Sequence, residues 1–442
     1  MIKERTMKQR IKVLLLTEEA WNDSVFGNNN MTNWFGGLDE IELASMYCSE
    51  GQPQNACCQK YFQITNSMVL NAMFFGKRAG VILKEKDYSL EEDSNEEVNK
   101  DSSLISKITS THKDSFRLIR DILWLSSRYD KKALKEFVDN FNPDIIFIIW
   151  RASVKMCKAV SLLKECTDVP IAACTGDNEL DEGVPMFSPF AIIRRFMIRR
   201  TLGKLAPKFA KYYTSSEEQA KTYAKNYGIK TDLLFKCAEA EEEKVHKELN
   251  NPIRFLYVGR LYCGRWKTLA KIGNVLKKIN KEEIKAVLDI YSMDKVSKKQ
   301  IKRLDDGRST FFRGAISPYK IKDEYKKSDI VLHVESLDKK NRAVTRHSYS
   351  TKVVDCLASG CAVMAIGWER HSACVELKKA DSAFIASNAK EIDLLINNIC
   401  ENPDLILEYS QKSMNDAKTN HSRVATQQKL YNDFINIIKG DI

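Results

Sequence analysis

The first apolar run, Ile11 to Thr17, is short, rich in leucine and β-branched side chains, and followed by polar loop residues. That is the pattern of a strand buried on both faces of a parallel sheet. Residues 86–103, KDYSLEEDSNEEVNKDSS, are almost wholly polar and charged and read as a solvated loop or insertion. From about Ser115 to Phe141 apolar side chains recur at helical spacing, and Asn142-Pro143-Asp144 stops that helix before a strand over Ile145 to Trp150. A further helix leads to a strand at Val169 to Ala173, another strand runs Lys211 to Ser215, and a helix opening with Glu217 and Glu218 ends at Tyr227-Gly228. This alternation is βαβ and predicts a doubly wound parallel sheet.

The acidic run Glu239 to Glu243 and the turn Asn250-Asn251-Pro252 interrupt the rhythm, placing a domain boundary near 236–252. Beyond it the same architecture repeats: strands Arg254 to Val258, Lys285 to Tyr291, Thr310 to Phe312, Ile330 to Val334 and Ala362 to Ile366, with helices Leu269 to Ile279, Tyr319 to Lys327 and Thr351 to Ser359 between them. Two consecutive Rossmann-like domains follow, an α/β chain in which phosphorylated ligands sit beyond the carboxyl ends of strands. The length of 442 residues allows two large domains, and 43% hydrophobic with 29% charged residues excludes disorder.

Charge narrows the partners. A net charge of +11 favours an anionic one, such as a phosphorylated small molecule, nucleic acid or anionic lipid, without choosing among them. The 12 cysteines are irregularly spaced, with no CxxC pair and no Cys/His metal pattern, so they read as free thiols of a reducing cytosol. The basic N-terminus leads into too short an apolar run for a signal peptide, and no stretch approaches the length of a spanning helix. A soluble or peripheral protein is expected.

The densest chemistry follows the strand ending at Val258. Gly259-Arg260-Leu261-Tyr262-Cys263-Gly264-Arg265-Trp266-Lys267 has the glycine spacing of a phosphate loop, but Arg265 and Trp266 stand where Lys and Ser/Thr are required. No GxGxxG follows a predicted strand. What remains is a set of cations at a strand-to-helix turn, suited to a diphosphate. Further on come Phe312-Arg313-Gly314-Ala315-Ile316-Ser317, the strand 329–336, and His347-Ser348-Tyr349-Ser350-Thr351-Lys352-Val353-Val354-Asp355 leading to Leu357-Ala358-Ser359-Gly360.

In this order the elements of 252–370 resemble the donor half of GT-B glycosyltransferases of group 1, which transfer sugar from a nucleotide diphosphate. The resemblance implies two Rossmann-like domains facing each other across a cleft: an acceptor domain 1–235, a linker 236–251, a donor domain 252–415 and a C-terminal helix 416–442 returning to the first domain. It places Gly259, Arg260 and Lys267 at the diphosphate and Ala315 and Ile316 near the base. Asp355, five residues before Gly360, falls at the second acid of the family's E-x7-E motif, which holds ribose hydroxyls; His347 stands where the first acid would be. Ser350-Thr351-Lys352 resembles the SxK entry of a subgroup that binds the diphosphate there, and Glu335 could supply the missing acid. Arg260, Lys267 and Lys352 would neutralise the leaving diphosphate. The family implies retention of configuration, a UDP- or GDP-linked sugar as co-substrate, and neither metal nor other cofactor.

The first domain offers fewer candidates. Asn28, Asn29, Asn30 and Gly36-Gly37 suit an acceptor loop or a mere turn, Asp177-Asn178 follows a strand end, and His112 lies in a polar stretch that suits solvent. The segment 192–211 carries seven cations and no acid, interleaved with Phe196, Met197, Ile198 and Leu202. It reads as a solvated face, a domain interface, or a surface for anionic lipid, which would suit a polyprenyl-linked acceptor. Two other classes stay open: a non-catalytic binder of nucleotide sugar or glycan on the same fold, and a nucleic-acid-binding protein. The second is disfavoured because the cations are dispersed and no zinc-finger, RRM or helix-turn-helix signature appears.

Overall fold

A computed structural model describes residues 10–23, 30–84, 113–150, 153–176, 186–237, 248–347 and 349–441. The first sheet contains β1 (Ile11–Thr17), β2 (Ile41–Tyr47), β3 (Tyr61–Gln63), β4 (Val81–Leu83), β5 (Ile145–Ile149), β6 (Ile171–Thr175), β7 (Lys211–Thr214) and β8 (Thr231–Leu233). Its order is β4-β3-β2-β1-β5-β6-β7-β8, parallel except for β4 at the edge. β1 lies between β2 and β5. Its alternate side chains feed two cores: Leu14 and Leu16 pack with Ile146 and Ile148 on one face, Val13 and Leu15 with Ile145 and Phe147 on the other. Burial on both faces is why the run shows no polar alternation.

The second sheet holds β9 (Ile253–Val258), β10 (Ala286–Tyr291), β11 (Thr310–Gly314), β12 (Ile330–Val334), β13 (Ala362–Ile366) and β14 (Phe384–Ala386) in the order β11-β10-β9-β12-β13-β14. All its pairings are parallel. In each sheet the winding reverses beside the first strand, between β1 and β5 and between β9 and β12, and a crevice opens beyond the strand ends at such a point.

The stretch 115–141 differs from the single helix its spacing predicts. It forms two helices, Asp114–Ser126 and Lys131–Phe141. Between them Arg128 accepts a hydrogen bond from the Ala79 amide and Asp130 donates one to the Ala79 carbonyl, at 2.8 and 2.9 Å, so the chain is drawn out straight. Asp130 then caps the second helix through the Ala133 amide. The pull comes from a residue about fifty positions away, which helical spacing does not register.

The last helix, Arg423–Lys439, belongs to the first sheet's core. Leu430, Tyr431, Phe434 and Ile437 pack beside β1 and β5, and the Phe434 ring lies 5.3 Å from that of Phe147. Asp433 accepts hydrogen bonds from Lys211 at 2.8 Å and from Tyr213 at 2.7 Å. Among the described residues no helix is long and apolar enough to cross a membrane.

Candidate active site

A cavity of about 650 Å³ lies between the sheets, walled by the ends of β1, β5 and β6 on one side and of β9 and β12 on the other. Both reversal points therefore open into one space. Its second-domain wall carries the cations Arg260, Arg265 and Lys352, together with Ser350, Thr351 and Tyr262.

Lys352 enters this space from the first turn of helix Thr351–Leu357. Gly259 lets it in: a Cβ there would come within 3.0 Å of the Lys352 Nζ and 2.8 Å of the Tyr257 hydroxyl. Lys352 forms no ion pair among the described residues. Its surface is open to the cleft, but the surrounding protein restricts water, and this desolvation, with Arg265 and Arg260 nearby, holds its pKa below the ordinary lysine value. A bound diphosphate would reverse that penalty. Binding is therefore expected to take up protons at alkaline pH and to be lost, as pH rises through the depressed pKa, earlier than an ordinary lysine would allow. Titration calorimetry of UDP in two buffers of different ionisation enthalpy checks this; buffer-independent heats through the alkaline range would contradict it.

The other cations are tethered. Arg260 pairs with Asp294 at 2.6 Å, and Asp294 also accepts from the Leu261 amide, so one acid shapes the turn and aims the guanidinium. Arg265 begins helix Arg265–Ile279 and donates to Glu335 at 2.6 Å. Burial by itself lowers the Arg265 pKa, but the adjacent carboxylate more than reverses this and keeps the guanidinium charged. The turn between them needs Gly264, whose φ is +81° and whose added Cβ would strike Asn341, Ser336 and Asp338.

Glu335 follows β12 and is 2% exposed. Its amide donates to Ile366, its carbonyl accepts from Thr268, and Oε2 accepts no hydrogen bond among the described residues. His333 also lines the cavity and stays neutral, since burial foremost, then His371, Arg265 and Lys352, push its pKa far down. A neutral imidazole beside two cations adds no charge to the wall.

The domains meet through residues 234–237. Lys236 is 4% exposed and donates to both oxygens of Asp355 at 2.8 and 2.9 Å. The Phe235 carbonyl accepts from Trp34 of the first domain at 2.9 Å, while its ring lies 5.1 Å from Tyr349 and 5.3 Å from His421. Arg346 pairs with Glu218 and Lys379 with Glu217 across the same junction, and these cations hold both carboxyls below the ordinary range.

The structure thus brings together Arg260, Glu335, Ser350, Thr351 and Lys352 on the cavity wall, with Gly259 packed against Lys352 behind them. Five other candidates fall outside the cavity wall. Lys267 is exposed and 3.7 Å from Asp338; Ala315 and Ile316 lie beyond β11 at the sheet edge; His347 is buried beside the Arg346–Glu218 pair; Asp355 is engaged by Lys236. In the first domain Asn30 lines the cavity, while the Gly36 carbonyl accepts from Arg423 and Gln427, and Gly37, at φ +77°, completes that turn away from the cavity. Asn28, Asn29, His112, Asp177 and Asn178 lie outside the described residues. Sequence reasoning missed Arg265, read only as a departure from a phosphate loop, and Glu18 and Glu19, whose place just after β1 marks a strand end. Lys236 and His333 gave no signal, because each owes its position to the other domain or the sheet interior.

No family model matches the chain, and no curated protein matches it in sequence. Solved structures do resemble it. HepE of Anabaena in complex with UDP superposes with a TM-score of 0.62 at 11% identity, covering 96% of this chain and all (100%) of that one. Sucrose-phosphate synthase of Thermosynechococcus elongatus gives 0.60 at 10% identity over 98% and 100%. A glycosyltransferase of Rickettsia africae ESF-5 gives 0.57 at 15% identity over 98% and 100%. The chain has the GT-B fold. In GT-B terms the cavity is the interdomain cleft, and Arg260, Arg265 and Lys352 stand on its C-terminal wall. Among the described residues, no group of three or more His, Cys, Asp and Glu side chains could hold a metal ion.

Proposed function

We propose that the protein is a glycosyltransferase that moves a hexosyl-type unit from a nucleotide-diphosphate sugar, UDP- or GDP-linked, to a hydroxyl of a glycan or polyprenyl-linked glycan in surface polysaccharide synthesis. The observation that carries this reading is Lys352, an ammonium with no ion-pair partner among the described residues, entering the GT-B cleft beside two arginines. Departure of the nucleotide leaves negative charge on the diphosphate. Fixed cations in a water-poor cleft stabilise that charge with little reorganisation. In this reading protein side chains do the work, with Arg260 and Lys352 on the diphosphate and Arg265 held charged behind them; no metal or other cofactor takes part. The family resemblance adds retention of configuration, which product anomericity tests. The structural neighbours HepE, solved with UDP-glucose, and a trehalose-6-phosphate enzyme of E. coli, solved with UDP-2-fluoro glucose, support a UDP-sugar donor. A lipid-linked acceptor fits work at the cytoplasmic side of a membrane, where the basic segment 192–211 would meet anionic headgroups.

The test is calorimetric titration of UDP, GDP and ADP, then of their sugars, against the wild type and Lys352→Ala. One nucleotide is expected to bind in the micromolar range and to weaken about tenfold or more in the variant, about 1.4 kcal/mol. No binding by any of the three would remove the donor site. A second reading rests on His347 at the first-acid position, outside the cavity wall: the chain binds nucleotide sugar or glycan without turning it over. Saturable binding with no product from any acceptor would favour it. Steep salt-dependent affinity for nucleic acid would support a third class instead.

A further inference from the structure

The helix Pro189–Leu205 is unusual for the surface of a globular domain: of its 17 residues only Leu202 is buried. A helix that merely covers a sheet buries an apolar stripe. Here Phe190, Ile193 and Phe196, three residues apart, point outward with Ile192, and Phe196 is 63% exposed. The neighbouring helix Asp114–Ser126 buries Leu123 and Trp124 but turns Ile119, Ile122 and Leu125 to solvent at the same spacing. Beyond it, helix Asn66–Phe74 ends in Phe74 and Phe75, 64% and 65% exposed. The three are joined side by side. Arg194 donates to Asp121 at 2.5 Å, Trp124 to Asn66 at 2.9 Å, and Ser127 to the Val69 carbonyl at 3.0 Å.

Cations accompany this apolar surface. The Pro189–Leu205 helix holds Arg194, Arg195, Arg199, Arg200 and Lys204 and no acid, and Asp121 opposite is already neutralised by Arg194. Arg117, Arg120 and Arg194 lie close enough that, after burial, the two neighbours further lower the Arg120 pKa. Exposed apolar area of this extent marks an interaction site. Interleaved with cations, it suits a bilayer interface, where rings and aliphatic chains enter the acyl boundary and arginines meet lipid phosphates.

We infer that the outward face of these three helices docks the protein on an anionic lipid bilayer. The position also orients the cleft. The helix follows β6, whose end at Thr175 and Gly176 lines the cavity, and a helix after a parallel strand starts at that strand's carboxyl end. Phe187 and Phe190 therefore lie at the cleft end of the surface, placing the first domain's side of the cleft next to the membrane. This deepens the proposed lipid-linked acceptor and rests on that reading only for its purpose; the docking itself is measured without glycosyl transfer.

The experiment is co-sedimentation of the full-length protein with extruded vesicles of phosphatidylcholine alone or mixed with phosphatidylglycerol, at low and high salt. Wild type is expected to pellet with the anionic vesicles and to be released by salt. Arg200→Glu with Lys204→Glu, and separately Phe190→Ser with Phe196→Ser, are expected to weaken binding roughly tenfold or more. Phe74→Ser with Ile122→Ser, on the other two helices, is expected to weaken it as well, while UDP affinity stays at the wild-type value in all three. No pelleting with anionic vesicles at low salt would overturn the inference. So would binding that all three pairs leave unchanged, or a dimer in solution that the Phe190/Phe196 pair disrupts.

Discussion

Replacing Lys352 by alanine is expected to lower turnover of the nucleotide-sugar donor by about 10²–10³-fold, or about 2.7–4 kcal/mol, the range for losing one preorganised group aimed at developing charge. The loss is expected mainly in kcat, because the leaving diphosphate acquires charge only as the glycosidic bond breaks. Stability is expected to hold or rise. The ammonium has no acidic partner among the described residues and its charged form is disfavoured by desolvation, so removing it abolishes no pairing. Arginine at 352 should restore part of the rate, since the charge remains but the larger head must fit beside Gly259. Steady-state kinetics with a thermal melt on the same samples checks this. An unchanged kcat would remove Lys352 from the chemistry.

Asp355→Ala is expected to act on stability instead. It leaves the Lys236 side chain, 2% exposed, without the carboxylate that pairs it, and breaking a buried pair from one side costs about 3–5 kcal/mol. Lys236→Met is expected to cost less, because Asp355 keeps 25% of its side chain in contact with solvent and can hydrate. The two substitutions differ in pH dependence. Burial already lowers the Lys236 pKa, with Asp355 opposing, so removing Asp355 lowers it further. Between this folded-state value and the unfolded one near 10.4 the unfolded chain binds more protons, and stability rises with pH. Asp355→Ala is therefore expected to recover stability as pH rises through the alkaline range, and Lys236→Met is not. Denaturant melts from neutral to alkaline pH measure this. Equal costs and parallel profiles would mean that the pair contributes little to joining the domains.

Donor affinity in Lys236→Met separates a second role. Asp355 lies one helical turn from Lys352, so freeing it loosens the helix that carries the cleft ammonium. Weaker donor binding in a variant that still melts as wild type would identify Lys236 as a positioning residue.

The apolar and polar pattern by itself determined β1, β5, β6, β7 and β9 to β13 and their parallel winding, while β2, β3, β4, β8 and β14 were found only in the structure. Val13 to Leu16 and Ile145 to Ile149 are continuous apolar runs because helices cover both faces of the first sheet, and burial on both faces is a local property of composition. Glycine and cation spacing around 259–267 marked a strand-to-helix turn for the same reason: a tight turn needs Gly264 wherever the rest of the chain lies. Only the tertiary structure decided which charges reach the cleft. Arg260 and Lys352 face it, Lys267 points out from the helix that Arg265 opens, and Arg265, not Lys267, meets Glu335 from the neighbouring strand. Asp355 is spoken for by Lys236, a residue 119 positions away in the chain. The break at 127–130 likewise depends on Ala79, and the outward apolar face of Pro189–Leu205 on which neighbours the fold supplies. Periodicity records whether a side chain is buried on its own element. Which distant partner neutralises, caps or uncovers it is set by contacts between elements, and these carry no repeat that a single sequence could show.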